Sequence, residues 1–178
     1  GASGTVGTIK PRPLSATLTG NISRAYDGTT TAALMGTGLQ LIGVVSGQNI
    51  SITQKTQGQF ARPNAGSGLI VSVALDNSDF TAGNGTLLSN YSLPAAASGA
   101  IGVITPRSLS LSLTGRMSKV YDGLASITLS PANISLTGLL PGETITVSKR
   151  DATLDSANVG SAVQTTLTLT SSDYAAGA

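Results

Sequence analysis

Eight carboxylates, with no histidine and no cysteine, set the chemistry open to this chain. The acids are Asp27, Asp76, Asp79, Asp122, Glu143, Asp151, Asp155 and Asp173. Without histidine the commonest general base and metal ligand is gone. Without cysteine there is no thiolate nucleophile, no disulfide and no thiolate-bound zinc. A glycosidase needs two facing carboxylates, and Asp76/Asp79 or Asp151/Asp155 are candidate pairs by spacing alone. Neither pair recurs 94 residues away, where the rest of the pattern does, and the serines and threonines have no histidine to activate them. The expectation is a protein that is not an enzyme and carries no cofactor. Asp76-Asn77-Ser78-Asp79 offers several oxygen ligands in one turn, which suits calcium. Its counterpart Thr170-Ser171-Ser172-Asp173 keeps a single carboxylate, so Asp76 and Asp79 are weak metal candidates and a plain turn is favoured.

The most specific local feature is Tyr26-Asp27-Gly28, which returns as Tyr121-Asp122-Gly123. An aspartate opening a turn can accept a hydrogen bond from the amide two residues on, and the glycine can take positive φ. These six residues are therefore expected to form a structural turn motif rather than a catalytic site. The residue two before each aspartate's tyrosine neighbour is basic, Arg24 in one copy and Lys119 in the other. That difference argues against a lysine–asparagine isopeptide bond in every copy; the basic stem is expected to lie over the tyrosine or to pair with an acid. Sugars stack on aromatic faces, and the aromatics are Tyr26, Phe60, Phe80, Tyr91, Tyr121 and Tyr174. All six fall at positions that suit core or turn packing. Five Asn-x-Ser/Thr sequons, at Asn21, Asn49, Asn84, Asn90 and Asn133, follow from a chain in which about a quarter of residues are Ser or Thr.

The elements that position these residues come in two copies. Ile9-Lys10-Pro11-Arg12 recurs as Ile104-Thr105-Pro106-Arg107, and Leu14, Leu18 and Gly20 recur as Leu109, Leu113 and Gly115, at an offset of 95. After one deletion the offset is 94: Asn64 and Gly66 match Asn158 and Gly160, and Ser78-Asp79-Phe80 matches Ser172-Asp173-Tyr174. Within each copy apolar residues alternate with Ser and Thr, as in Leu109, Leu111 and Leu113 or Leu69, Val71, Val73 and Leu75. Such alternation means strands with one buried face. The fold class is all-β and mostly antiparallel: two tandem sandwich-like repeat domains in an elongated rod, with a β-grasp-like arrangement as the alternative. At most a short helical turn is expected near Lys149–Asp155. A β-helix is excluded, because its repeat of about 20–30 residues is far shorter.

The domains are placed at 1–98 and 99–178. Thr86–Leu93, with Leu87, Tyr91 and Leu93 on one face, is expected to close the first domain. The second domain lacks that strand, as though cut from a longer array. Ser98–Pro106 is expected to be a short, extended connection, with residues 4–9 as its counterpart.

Composition narrows the partners. The chain of 178 residues is 40% hydrophobic, 3% aromatic and 10% charged, with formal charge +2 and a pI near 9.2. That pI reflects scarce charge rather than a basic patch, so nucleic acid is not an expected partner. No apolar run approaches the roughly 20 residues of a membrane span, so no membrane insertion is expected.

The Ile-x-Pro-Arg lead-in, Lys119-Val120-Tyr121-Asp122-Gly123, Leu136-x-Gly138, Asn158-x-Gly160 and Asn90-Tyr91-Ser92-Leu93 together resemble the YDG-type repeat, which is related to the MBG repeats. The resemblance covers essentially the whole chain, twice. The first copy departs in having Arg24-Ala25 for Lys119-Val120. The family occurs in very large bacterial surface and secreted adhesins of the filamentous-haemagglutinin, two-partner-secretion kind. The resemblance implies an extracellular, non-catalytic stalk segment of a surface or biofilm adhesin, packed against neighbouring repeats of the same chain. The alternative is a carbohydrate-binding module for an exopolysaccharide or host glycan.

Overall fold

Short strands punctuated by glycine, proline and one-turn 3-10 segments build the protein. The computed structural model describes residues 1–177, and they fall into two compact units, Gly1–Pro106 and Arg107–Ala178. In the first unit the strands are β1 (Arg12–Pro13), β2 (Ser15–Thr19), β3 (Ile22–Ala25), β4 (Thr31–Ala33), β5 (Gly38–Ile42), β6 (Ile50–Ile52), β7 (Gln57–Phe60), β8 (Gly66–Ala74), β9 (Phe80–Ala82), β10 (Tyr91–Ser92) and β11 (Ala96–Thr105). In the second they are β12 (Ser110–Leu113), β13 (Ser126–Thr128), β14 (Ile134–Thr137), β15 (Ile145–Val147), β16 (Asp151–Leu154), β17 (Thr165–Thr166) and β18 (Tyr174–Ala176). The all-β expectation holds.

The first unit is organised around β11. Its sheet has seven strands in the order β4-β7-β8-β11-β2-β5, with β3 also paired to β11. One side of β11 runs antiparallel to β8, from Ala96 opposite Ala74 to Ile104 opposite Gly66. The other side runs parallel to β2 at Ala97 and Ser98, then parallel to β3 from Gly102 to Thr105. The sheet is therefore mixed, with two parallel pairings beside β11, while most of its pairings are antiparallel, as expected. Chain direction is the reason: β8 and β11 are joined through residues 75–95, which bring the chain back into the sheet alongside β2 in the same sense. Alternation along β8 buries Leu69, Val71 and Val73, and Ile104 of β11 is buried with them, only 1% exposed. Two glycines admit β11 to this place. A Cβ at Gly99 would lie 2.0 Å from the Leu18 carbonyl oxygen, and one at Gly102 would lie 2.5 Å from the Phe60 ring.

The expected closing strand is thereby relocated. Leu88–Asn90 is a 3-10 turn, Leu87 is 64% exposed, and only Tyr91–Ser92 forms a strand, paired parallel to β1. Tyr91 is buried, accepts a hydrogen bond from the Val45 amide at 3.1 Å and donates to Gln48. The residues expected to connect the domains are extended, as read, but they lie inside the first unit: the boundary at 98/99 cuts through β11, and the compact units divide after Pro106. Residues 4–9, their counterpart, form no strand and are exposed.

The second unit repeats the pairings of the first without a counterpart of β10 or β11 among the described residues. β12 pairs β14, β13 pairs β16 and β16 pairs β17, and β15 pairs β18, all antiparallel. Its buried apolar residues are Leu129, Val147 and Ala152. The short helix expected near Lys149–Asp155 is β16 instead; Ala152 alternates inward between exposed Asp151 and Thr153, and strands flank it on both sides. Among the described residues there is no α-helix, so the β-grasp alternative lacks the element that defines it.

Candidate functional site

The Tyr-Asp-Gly turns follow β3 in the first unit and its unpaired counterpart in the second. Gly28 and Gly123 sit at φ +77° and +78°, a conformation that costs a side-chain-bearing residue strain. In the first turn the Asp27 carboxylate accepts hydrogen bonds from the Thr29 amide and hydroxyl, both at 2.9 Å, and pairs with Arg24. The Thr29 amide, then the Arg24 guanidinium, hold the Asp27 carboxyl down at about 2. In the second turn Asp122 accepts from the Leu124 amide at 3.0 Å and pairs with the Lys119 ammonium at 2.6 Å. Lys119, then the Leu124 amide, lower the Asp122 carboxyl. Carboxylates held this low have no proton to give near neutral pH, so as placed they suit turn caps better than general acids.

The two cations act differently. Arg24 donates to the Thr29 carbonyl and lies over the Phe60 ring, 5.1 Å from its centroid. Lys119 donates to the Leu124 and Ser126 carbonyls at 2.8 and 2.9 Å. Both cations pair with the aspartate of their own turn, as one of the two expectations had it, and Arg24 has Phe60 as an aromatic partner as well.

The candidate calcium turn is closed on itself. Asp79 is buried; one carboxylate oxygen accepts from the Asp76 amide at 2.7 Å and the other pairs with Lys55 at 2.6 Å. The Asp76 amide, then Lys55, lower the Asp79 carboxyl. In the second unit Asp173 accepts from the Thr170 amide at 2.7 Å and hydroxyl at 2.9 Å. Among the described residues no three acids come together.

The sharpest contrast concerns the tyrosines. Tyr26 packs against the first core, and its amide donates to the Thr105 carbonyl of β11 at 2.8 Å. Tyr121 is 62% exposed. It lines an open cavity of about 830 Å³ in the second unit, together with Met117, Lys119, Leu154, Val163 and Thr165. The matching residues of the first unit are Tyr26, Ile22, Arg24, Phe60, Leu69 and Val71. There β3 pairs with β11, and Phe60 and Val71 close over Gly102. The cavity therefore occupies the place that β11 fills in the first unit. The reading of Tyr121 as packed fails for this reason: among the described residues no strand covers it.

A family model described as YDG domain matches residues 10–99 and again residues 105–177. The chain belongs to the YDG-domain family. No curated protein and no solved structure gives a significant match. The matched segments stop at Gly99 and resume at Thr105, so three of the four β11 residues that pair with β3, Gly102–Ile104, lie between two YDG matches. The importance of this strand went unread in the sequence, although a signal was present. Gly1–Ile9 and Ala96–Ile104 align at the same offset of 95, and Ala2, Ser3, Gly4, Gly7 and Ile9 match Ala97, Ser98, Gly99, Gly102 and Ile104.

Proposed function

We infer that this pair of YDG domains is a non-catalytic spacer: a stalk segment of a bacterial surface or biofilm-matrix adhesin that holds a distal binding region away from the cell. The observation that carries this reading is the use of the recurring polar residues. Asp27 and Asp122, the repeat's most specific acids, are each bound to a backbone amide and a basic side chain of their own turn. Repeat-wide features that serve the fold, once per unit, suit an array whose stability comes from its units and their neighbours. A chain with 10% charged residues also gives salt little to screen, which favours constant mechanics in changing ionic strength.

One observation favours a second reading. The cavity of the second unit is lined by exposed Tyr121 and Asn158, where β11 covers Tyr26 in the first, and an aromatic face and an amide in one cavity suit a sugar. A glycan array probed with the 178-residue chain separates the two. The spacer reading expects no selective retention; strong retention of one glycan class, lost in Tyr121→Ala, overturns it.

A further inference from the structure

We propose that Asn84-Gly85 is the chain's site of spontaneous deamidation, and that its isoaspartate product releases the hold of Thr86 on the strand pair β6–β9. The site lies within the first unit, and the inference applies to a spacer and to a binding module alike.

Three observations meet here. First, of the eight asparagines only Asn84 precedes a glycine. Ring closure needs the following residue's amide nitrogen to reach the asparagine Cγ, and a glycine brings no Cβ to obstruct that approach. Second, the turn leaves the reacting groups free. Thr86 donates its amide to the Gly83 carbonyl at 3.1 Å, and Gly85 sits at φ +75°, the type II pattern. The turn's own hydrogen bond thus uses the Thr86 amide. Asn84 and Gly85 are exposed, and neither the carboxamide nor the Gly85 amide has a partner among the described residues. Third, the two Asp-Gly pairs that could close the same ring are held shut. The Asp27 and Asp122 carboxylates are each bound to an amide two residues on and to a cation. An ionised, bound carboxylate resists attack by nitrogen, so the reaction falls to Asn84.

The step needs only water. The Gly85 nitrogen gives up its proton to solvent and bonds to the Asn84 Cγ; the Cγ–Nδ2 bond breaks, and ammonia leaves with a proton returned from solvent. Water then opens the succinimide. Opening at Cγ gives aspartate, whereas opening at the main-chain carbonyl gives isoaspartate, whose backbone runs through the side chain and is longer by a methylene. That added length falls between Gly83 and Thr86, the two ends of the turn's hydrogen bond. Thr86 is buried, and its hydroxyl accepts from the Asn49 amide at 3.1 Å, while the Gly83 amide donates to the Asn49 carbonyl at 2.9 Å. These bonds extend the ladder in which Ile50 of β6 lies opposite Ala82 of β9. A longer turn moves Thr86 out of its place and leaves the Asn49 amide open to exchange.

Peptide mapping by mass spectrometry, on the full chain held at mildly alkaline pH, tests the chemistry. Asn84 should convert several-fold faster than any other asparagine, with isoaspartate the larger product, and Asp27 and Asp122 should stay unisomerised. Gly85→Ala should slow the conversion several-fold. Because alanine is strained at positive φ, Asn84→Gln, which keeps Gly85, is the second control and should abolish it. Hydrogen exchange resolved by residue tests the consequence. The Asn49 amide should exchange several-fold faster in the converted chain than in the fresh one. Fresh Asn84→Asp carries the new charge on a backbone of normal length and should keep the slow exchange. Conversion no faster at Asn84 than at the other asparagines, isoaspartate appearing first at Asp27 or Asp122, an Asn49 amide equally protected before and after conversion, or an Asn84→Asp chain that exchanges as fast as the converted one would each overturn the proposal.

Discussion

The two units start from nearly the same sequence pattern and reach different degrees of closure. In both, the Tyr-Asp-Gly turn forms with an aspartate capped by an amide and paired with a cation. In the first, β11 joins β8 to β2 and β3, and a continuous core runs from Leu14 to Ile104. In the second, three small sheets stand without such a strand among the described residues, and the counterparts of core residues Ile22, Leu69 and Val71 are half-buried. The turns are thus local and autonomous, whereas the core depends on one strand contributed from far along the chain. Local hydrogen bonds close within two residues; a sheet centre needs a partner on each side.

The largest effect expected from this contrast is at the matched pair Phe60 and Leu154. Phe60 is 2% exposed and sits against β11, so Phe60→Ala should cost about 3–5 kcal/mol through lost transfer energy and the cavity left behind. Leu154 is half-buried beside an existing cavity, and Leu154→Ala should cost about 1–2 kcal/mol. Hydrogen exchange resolved by peptide reports each unit separately. Equal costs in the two units would break the comparison.

A gain should follow from supplying the strand. A chain lengthened after residue 178 by a second copy of Asn84–Thr105 should place an equivalent of β11 between β12 and β17. Slower exchange at Met117–Tyr121 and at β17 is expected, with the melting temperature of the second unit raised by several degrees for each kcal/mol gained. Unchanged exchange there would mean that the open edges are not a strand site.

The alternation of Leu69, Val71 and Val73 or of Leu111 and Leu113 was enough to read strands, and the offset of 95 was enough to read two copies. The turn aspartates were legible because their chemistry is completed within two residues. The role of 96–105 was not. Its side chains are small, Ala, Ser and Gly over the first five residues, so its apolar signal is weak. Register shifts around Gly102 also break the period, burying both Gly102 and Ile104 after Ala97. Extended conformation could be read from Ile101 and Val103, but the choice of β2, β3 and β8 as partners is a long-range matter on which local pattern is silent. For the same reason Thr86–Leu93 looked like the closing strand: its larger side chains carried the stronger pattern.

The shared turns predict a shared acid sensitivity. Asp27 titrates at about 2 in the folded protein, below its ordinary 3.8, and Asp79, Asp122 and Asp173 are also lowered. A carboxylate lowered on folding contributes stability that is complete above its unfolded value and lost as pH falls through its folded value. Both units should therefore hold steady from pH 7 to about 5 and weaken between about 4 and 2. Thermal melts across that range check it. Asp27→Asn should reduce the dependence in the first unit and Asp122→Asn in the second, each leaving the other unit unchanged, with the remainder carried by Asp79 and Asp173; a dependence undiminished in both variants would place the sensitivity outside the Tyr-Asp-Gly turns.

The smallest effect separates the two cations. Arg24 both pairs with Asp27 and lies over Phe60, whereas Lys119 pairs with Asp122 and has Leu154 at the position matching Phe60. A guanidinium gains from a π face in a way that an aliphatic neighbour cannot reproduce. Arg24→Lys keeps the charge beside Asp27 but gives up the planar stack, and should cost roughly 0.5–1 kcal/mol. Lys119→Arg meets Leu154 where Arg24 meets Phe60 and should gain nothing measurable. The double-mutant cycle of Arg24→Lys with Phe60→Leu isolates the stack, since Phe60→Leu gives the first unit the residue that the second already has. A coupling near zero would assign the choice of arginine to its hydrogen bond with the Thr29 carbonyl, and would leave the two turns energetically alike.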